Sequence, residues 1–300
     1  MSRDFIGYGK EKPKIFWPQG NKIAVSFVVN IEEGAELSVS SGDSQNEHVF
    51  ENNKTKILDT PDLCMESHFE YGLRSGIWRI FDVLDKYKIK ATFSCCSLAL
   101  EKSPWLIEEI LNRKHEISAH GVKWISHAYF SREEEKKIIN ECYSSILKLS
   151  GRPPLGWHTK SSTSPFTRDL LIEHGGFMYD SNAYNDDIPY VIRQNDRKFV
   201  IIPYSFDTND MRFDGNNGFV QGDDFNTYCK ESFNQLLSET DDGSLRMMSI
   251  GLHPRIIGRP GRIKGLEDFI KHIKTYQNVW IPTRIDIAKH CLEKDLFNFF

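Results

Sequence analysis

The sequence reads IAVSFVV at residues 23–29. A run of apolar and β-branched residues of this length is typical of a strand buried on both faces, as strands in a parallel sheet are. Polar residues follow the run at once, beginning with Asn30, Glu32 and Glu33. The stretch therefore predicts an interior strand whose carboxyl end carries polar side chains.

Further apolar runs alternate with amphipathic segments along the rest of the chain. The runs predict strands at residues 91–96, 116–120, 154–158, 177–180, 199–204, 247–253 and 279–282. The amphipathic segments predict helices at residues 70–87, 103–111, 131–149, 167–174, 225–237 and 263–273, and a last helix that ends near residue 291. Strict alternation of this kind indicates parallel strands joined by helical crossovers.

The alternation predicts an α/β fold, an irregular (β/α) barrel of seven or eight parallel strands. An open doubly wound sheet is the alternative, but no GxGxxG motif follows the first strand. Two helix amino termini are also predicted, one by Ser103 before Pro104 and one by the capping box of Ser131 and Glu134.

The longest segment without a predicted helix or strand spans residues 32–68, and residues 38–56 within it are rich in Ser, Asn, Asp and Glu. A connection this long is usually either functional or disordered. We expect a loop folded over the functional site. Because no internal repeat and no linker-like change of composition is visible, residues 1–300 are predicted to form one barrel domain.

The composition is that of an ordinary globular protein and argues against several classes. The chain carries a formal net charge of −4, whereas nucleic-acid-binding proteins usually have a basic surplus. No apolar run approaches the roughly 18 residues of a membrane helix, and the first residues lack the apolar segment of a secretory signal. The six cysteines show no CxxC or zinc-finger spacing. We expect a cytoplasmic protein with reduced thiols that binds neither nucleic acid nor a membrane.

Polar and titratable residues follow almost every predicted strand. In a parallel barrel the carboxyl ends of the strands meet on one face, where catalytic groups lie. The candidates in chain order are Asn30, Glu32, Glu33, His120, Trp124, Arg152, Trp157, His158, Asp207, Asn209, Asp210, His253 and Arg255. The sequence therefore predicts one site in which these side chains meet.

A metal centre at this site is not favoured. Two histidines four residues apart after a strand, together with a carboxylate, would form a credible ligand set. Here Trp124 lies four residues after His120, and the next histidine is His127. An indole offers no lone pair to a metal ion, so the sequence predicts that the site holds no tightly bound metal and no other cofactor.

Several motifs resemble the polysaccharide deacetylase (NodB-homology) superfamily, whose fold is an irregular (β/α) barrel. Residues 152–154 match its arginine motif, and its Leu-x-His motif is matched by Leu252 and His253, which Gly251 precedes. Its His-x-x-x-His motif survives only as His120, and its paired aspartates are matched by Asn30 and Glu32.

A closer resemblance is to the PuuE-type allantoinase branch of that superfamily. The matching segments are DFIGYG at 4–9, NIEEG at 30–34, MESHFEYG at 65–72, GIWR at 76–79, AHGVKWI at 119–125, PLGW at 154–157, DTNDMRF at 207–213, SIGLH at 249–253 and IIGRP at 256–260. His158 and Pro254 depart from this branch, which often has tyrosine and cysteine there. The resemblance implies metal-independent hydrolysis of the hydantoin ring of allantoin to allantoate, in purine breakdown, by a homotetramer.

Opening a cyclic amide needs a base that activates water, donors for the oxyanion and an acid for the leaving nitrogen. We predict Glu32 or Glu33 as the base close to His120, and His253 as the acid or oxyanion donor, oriented by Asp207 or Asp210. The predicted substrate-binding residues are Asn30, Trp124, Arg152, Trp157, Asn209, Asp210 and Arg255. They would bind ring carbonyls and the ureido group or wall the flat ring.

Two other functions stay open. The first is deacetylation of chitin or chitooligosaccharides, the older role of the superfamily, which needs a metal or an equivalent electrophile. The second is a binding or scaffold protein that kept the barrel after losing catalytic groups. The number of polar residues at the strand ends argues against the second.

Overall fold

The computed structural model describes residues 4–10, 13, 16–49, 55–194, 196–213, 218–240 and 243–294. The strands of this part of the chain are β1 (Ile23–Ile31), β2 (Thr92–Cys95), β3 (Glu116–Ala119), β4 (Gly156–Trp157), β5 (Tyr179–Asp180), β6 (Tyr190–Gln194), β7 (Arg197–Ile201), β8 (Arg246–Leu252) and β9 (Val279–Trp280). The helices are α1 (Leu63–Tyr71), α2 (Ile77–Lys86), α3 (Ser97–Lys102), α4 (Trp105–Asn112), α5 (Arg132–Ser150), α6 (Thr167–His174), α7 (Gly222–Ser238), α8 (Pro260–Ile273) and α9 (Arg284–Glu293). None of the described helices is both long and apolar enough to cross a membrane.

The strands form one curled sheet in the order β6-β7-β5-β4-β3-β2-β1-β8, and β9 pairs with the start of β1. All pairs are parallel except β6 with β7, which form an antiparallel hairpin. The predicted (β/α) barrel architecture is thus confirmed, with an antiparallel edge that the prediction lacked. The strand predicted at 199–204 corresponds to β7, which pairs with β5 in parallel as expected. On its other side β7 pairs with β6, across a turn in which Asp196 has a φ of 60°.

Strand β1, which pairs with β2, β8 and β9, contributes side chains to two apolar clusters. Its odd-numbered residues from Ile23 to Ile31 pack in the larger cluster, together with apolar residues of the helices. Ala24 lies in a second cluster with Trp17 and Met247. Because side chains alternate along a strand, Asn30 belongs to the same face as Ala24. The end of β1 therefore presents a polar group on the face away from the main helix-packed layer.

The helix predicted at 70–87 is longer and less regular than its pattern indicated. It begins as α1, where the Asp62 side chain accepts a hydrogen bond of 3.0 Å from the Met65 N–H. Residues Gly72–Gly76 form a π-helical turn before α2. Helix α3 was not predicted, because no turn residue separates it from the apolar run of β2. The Ser131 capping box is confirmed, whereas α4 has no side-chain cap, so the prediction of Ser103 as a cap was wrong.

Gly76, the last residue of the π-helical turn, packs directly on the loop after β8. A Cβ atom at this position would overlap the carbonyl oxygen of Pro254, one residue after His253. We expect Gly76→Ala to lower the free energy of unfolding by roughly 1–3 kcal/mol, because neither backbone can yield easily. Urea unfolding measures the difference. Gly261→Ala in α8 is the matched control, since its Cβ would meet nothing within 4 Å; a loss as large in the control would contradict the steric explanation.

Candidate active site

Glu32 lies at the centre of a cluster built from the carboxyl ends of three strands. One of its oxygens, Oε1, lies 3.4 Å from His120 Nε2 and 3.3 Å from His253 Nε2. The other, Oε2, accepts a hydrogen bond of 2.6 Å from Arg255. Glu32 follows β1, His120 follows β3, and His253 and Arg255 follow β8. The predicted meeting of residues distant in sequence is therefore present in the structure.

Asp210 holds His253 from the opposite side. Its Oδ1 lies 2.5 Å from His253 Nδ1, and its Oδ2 accepts hydrogen bonds from the backbone N–H groups of His253 at 2.7 Å and Ile257 at 3.1 Å. Asp210 begins a short 3₁₀ turn, Asp210–Arg212. The adjacent Asn209 forms a parallel bridge to Gly251 of β8. This bridge places the carboxylate against the imidazole.

The cluster is buried and balances its charges internally. Glu32, Asp210, His253 and Arg255 are each at most 2% exposed. Two carboxylates face an imidazole and a guanidinium, which is the pairing that buried charges require. Because the effective dielectric constant of a buried site is low, each electrostatic interaction in it is stronger than in water.

The ionisation of Glu32 and His253 follows from this pairing. Burial alone would raise the pKa of Glu32, but the charges of His253 and Arg255 hold it well below the usual carboxyl value. Burial alone would lower the pKa of His253, but Glu32 and Asp210 raise it to about 10. At neutral pH the site therefore contains a carboxylate beside an imidazolium.

Both shifts stabilise the folded protein at neutral pH, and the two contributions are lost at opposite ends of the pH range. The Glu32 contribution is present above the ordinary carboxyl value of 4.5 and is lost as the pH falls through the lower folded-state pKa. The His253 contribution is fully present below the ordinary imidazole value of 6.5 and is lost as the pH rises through about 10.

The orientation of His120 is fixed by a backbone carbonyl. Its Nδ1 lies 2.7 Å from the carbonyl oxygen of His158. A carbonyl only accepts hydrogen bonds, so Nδ1 carries the proton of this bond. In the neutral ring the lone pair is then on Nε2, which faces Glu32 Oε1. A neutral His120 ring therefore presents an acceptor to the centre of the cluster.

His158 joins this cluster to an aromatic group. Its ring stacks on His120 with centroids 5.0 Å apart, and its Nε2 lies 3.3 Å from the Tyr184 hydroxyl. Burial lowers the pKa of His158 well below the usual value, so this ring is neutral. Its buried Nδ1 has no hydrogen-bond partner among the described residues. Tyr184 stacks on the exposed Phe206 at 4.1 Å.

Asn30 and Tyr204 form the other side of the cluster. The Asn30 side-chain N–H donates to the Tyr204 hydroxyl at 3.0 Å, and Asn209 lies 3.5 Å from the same hydroxyl. The buried Asn30 Oδ1 has no partner within the described part of the chain. Two unpartnered polar atoms, this oxygen and Nδ1 of His158, thus lie close to the Glu32 cluster, and a bound ligand or water could satisfy both.

Trp124 covers the cluster beside Arg255. The guanidinium lies 5.1 Å from the centre of the indole, and the Lys160 ammonium lies 3.5 Å from it. Lys160 also donates to Glu47 at 2.8 Å, and the backbone N–H of Trp124 donates to the Ala35 carbonyl at 2.9 Å. The segment predicted as a loop at 32–68 therefore lies against this side of the site; its residues 50–54 are outside the described residues.

Glu33 stands beside the cluster and not within it. Its Oε2 accepts a hydrogen bond of 3.1 Å from the Glu32 N–H, and its Oε1 lies 4.0 Å from Arg255. The carboxyl group packs tightly on Gly72, where any Cβ would overlap it. Burial, partly offset by Arg255, raises the pKa of Glu33 to about 7. Of the two glutamates predicted as the base, Glu32 contacts the imidazoles.

Three predicted site residues lie elsewhere. Either Asp207 or Asp210 was predicted to orient His253. Asp210 contacts its imidazole, whereas Asp207 is exposed. Arg152 is exposed and precedes β4, so it lies at the amino end of the strands. Trp157 points into the apolar layer against His127 and Phe177. Side chains alternate along β4, and it is the next residue, His158, that faces His120.

Sequence reasoning missed Tyr204, Tyr184 and Lys160. Tyr204 ends the apolar run at 199–204, so it could have been found by counting its hydroxyl among the polar groups at strand ends. Tyr184 and Lys160 lie in loops, where no periodic pattern indicates which residues turn inward.

The donor set does not fit a divalent metal ion. Arg255 occupies one oxygen of Glu32, and a cation would be placed beside this buried guanidinium. Trp124 stands where a second histidine would be needed, with the Lys160 ammonium on its ring. Among the described residues no group of three or more His, Cys, Asp or Glu side chains is arranged to hold a metal ion.

The fold and site define a (β/α) barrel with its polar groups pooled at the carboxyl ends of the strands. A family profile described as polysaccharide deacetylase matches residues 58–165. A Schizosaccharomyces pombe protein named "Putative polysaccharide deacetylase" is 35% identical over 310 aligned residues, covering 96% of each chain. The chain therefore belongs to the polysaccharide deacetylase family, and it is a hydrolase of that superfamily.

Two solved structures are similar over their whole length. The crystal structure of PuuE allantoinase has a TM-score of 0.94 and 38% identity, and covers 99% of each chain. A structure described as a probable polysaccharide deacetylase from Pseudomonas aeruginosa PAO1 has a TM-score of 0.94 and 37% identity, and covers 99% of this chain and all of the other.

Proposed function

We propose that the protein is a metal-independent cyclic-amide hydrolase that opens the hydantoin ring of allantoin to give allantoate, a step of purine breakdown. The observation that carries the proposal is the buried Glu32 carboxylate between two imidazoles and a guanidinium. Such a set supplies a proton acceptor, a proton donor and a fixed positive charge without an ion. The similarity to PuuE allantoinase over the whole chain supports the choice of substrate.

His120 and Glu32 act together as the base. Nε2 of His120 lies 3.4 Å from Oε1 of Glu32, and in the neutral ring Nε2 is an acceptor as well. A water molecule bound beside both would be held for attack and would lose its proton to His120 Nε2. The carboxylate then stabilises the imidazolium that forms, as a third group does in other nucleophile–base sets.

His253 acts as the acid. Its pKa of about 10 keeps it protonated at neutral pH, and Asp210 fixes its Nδ1–H so that Nε2–H points into the site. This N–H can donate to the oxyanion of the tetrahedral intermediate and then to the leaving ring nitrogen. Arg255 adds a fixed positive charge close to the oxyanion.

The remaining groups would hold the ring. Asn30 Oδ1 offers an acceptor to a ring N–H, and His158 Nδ1 offers a further polar contact. Trp124 supplies a flat apolar wall. A hydantoin has alternating N–H and C=O groups, so it can satisfy acceptors and donors that otherwise remain unpaired.

Deacetylation of N-acetylated sugars is the second candidate, because the S. pombe relative is named as a deacetylase. The two are separated by assaying the purified protein for allantoate release from racemic allantoin and for acetate release from N-acetylchitooligosaccharides. We expect turnover of allantoin and none of the sugars, since the Arg255 and Trp124 environment provides no metal site. Acetate release without allantoate formation would overturn the proposal.

A further inference from the structure

A cavity lies at the opposite end of the barrel from the cluster around Glu32. Its volume is about 390 Å³, and it opens between the amino ends of β3 and β4 and the start of α9. Its charged lining residues are Lys90, Lys114, Arg152, Lys289, Glu116 and Asp286. Barrel enzymes place their chemistry at the other end of the strands, so the proposed hydrolysis does not use this cavity.

The four cations of this cavity have no carboxylate partner within the described residues. Lys90 donates to the backbone carbonyl of Arg113, and no ion pair is formed by Lys114, Arg152 or Lys289 in that part of the chain. The chain as a whole has a net charge of −4. Four unpaired cations around one cavity are therefore a local feature and not a consequence of composition.

The two acids of the cavity are already engaged. Glu116 accepts hydrogen bonds from the Thr92 hydroxyl at 2.6 Å, the Tyr179 hydroxyl at 2.7 Å and the Ile285 N–H at 3.0 Å. Asp286 belongs to the capping box of α9. Burial raises the pKa of Glu116. The carboxylates thus serve the sheet and the helix, whereas the four cations are exposed side chains that line the cavity.

His115 adds a buried donor that lacks a partner. It is 5% exposed and lines the cavity. Its Nδ1 accepts the Ala91 N–H at 3.2 Å, so the ring hydrogen is on Nε2. Nε2 has no hydrogen-bond partner among the described residues. Burial, followed by the charge of Lys90, lowers the pKa of His115 to about 4, so the ring stays neutral and Nε2–H remains a donor.

We propose that this cavity binds a small phosphorylated anion, held by Lys90, Lys114, Arg152 and Lys289 with His115 Nε2–H as a neutral donor. Its volume lies at the lower end of the range of small-molecule sites. Ammonium groups bind phosphate as point charges, and a guanidinium binds it through two parallel N–H groups. Gly151, with a φ of 69°, ends α5 and sets the direction in which Arg152 leaves the helix.

Calorimetric titration of the full chain with pyrophosphate tests the site. The wild type is expected to bind one pyrophosphate saturably, and Arg152→Glu and Lys114→Glu are each expected to raise the Kd at least 10-fold. Lys136→Glu, an exposed position on α5, is the matched control for net charge and should leave the Kd unchanged. Circular dichroism establishes that each variant is folded.

A second measurement reports on the buried donor. The His115 Nε2–H resonance is expected to shift on addition of pyrophosphate to the wild type and not to Arg152→Glu. Absence of saturable binding, equal weakening in Lys136→Glu, or an unmoved His115 resonance would each overturn the proposal. None of these outcomes depends on whether allantoin is the substrate.

Discussion

Replacing Glu32 by glutamine is expected to reduce allantoin turnover by roughly 10²–10⁴-fold, the loss typical of a removed acid or base. The amide has nearly the same shape but no charge, so the imidazolium that forms on His120 loses its stabilising partner. The positive charges of His253 and Arg255 also lose their counter-ion. Steady-state kinetics with allantoin measures the effect on kcat.

The same substitution is expected to destabilise the fold. Removing one partner of a buried charged group costs about 3–5 kcal/mol. Activity must therefore be expressed per folded molecule, with the folded fraction taken from circular dichroism. Glu135→Gln is the matched control, because Glu135 is also fully buried but bonds His127 and Thr167 away from the site. If the folded Glu32→Gln variant keeps the kcat of the wild type, Glu32 takes no part in the mechanism.

Asp210→Asn is expected to show the second large effect, because it changes the protonation of His253. The asparagine oxygen can still accept the two backbone N–H groups, which places its NH₂ group against His253 Nδ1. The ring must then accept at Nδ1, and the pKa of His253 falls from about 10. We expect kcat to fall by roughly 10²–10⁴-fold, as for the loss of a general acid.

The pH profile separates this role from a structural one. With His253 as the acid, wild-type activity declines as the pH rises through about 10, and the alkaline limb moves to lower pH in Asp210→Asn. ¹⁵N NMR of the His253 ring follows the same titration directly. Asp207→Asn, at the exposed neighbouring aspartate, should keep the wild-type limb. Identical alkaline limbs in wild type and Asp210→Asn would show that His253 is not the acid.

The candidate site could be predicted from the sequence where a residue directly leaves a long apolar strand. Glu32, His120 and His253 meet this condition, and the ends of parallel strands converge, so their proximity follows from the pattern. The prediction of Arg152 as a site residue was wrong because β4 is only two residues long and begins at Gly156. The apolar run at 154–158 does not show where hydrogen bonding starts, and Arg152 falls on the amino side of it.

Residues in loops were the least predictable part. The choice between Asp207 and Asp210 depends on the bridge from Asn209 to Gly251, which joins segments distant in sequence. The start of α1 was indicated by Asp62, whose side chain is a cap, but the long polar stretch around it obscured that signal. Local patterns thus predicted the parallel strands and the residues that follow them, but not the antiparallel strand β6. Long-range pairing decided which loop side chains enter the site.

Allantoin turnover after removal of metal tests the central claim most directly. The purified protein is stripped with a chelator, assayed for allantoate in chelator-containing buffer, and assayed again after addition of a divalent ion. Untreated protein is assayed alongside. If the Glu32, His120 and His253 side chains perform the hydrolysis, the untreated, chelator-treated and resupplied proteins should turn over allantoin at the same rate. Turnover that disappears with the chelator and returns with the ion would contradict a metal-independent site.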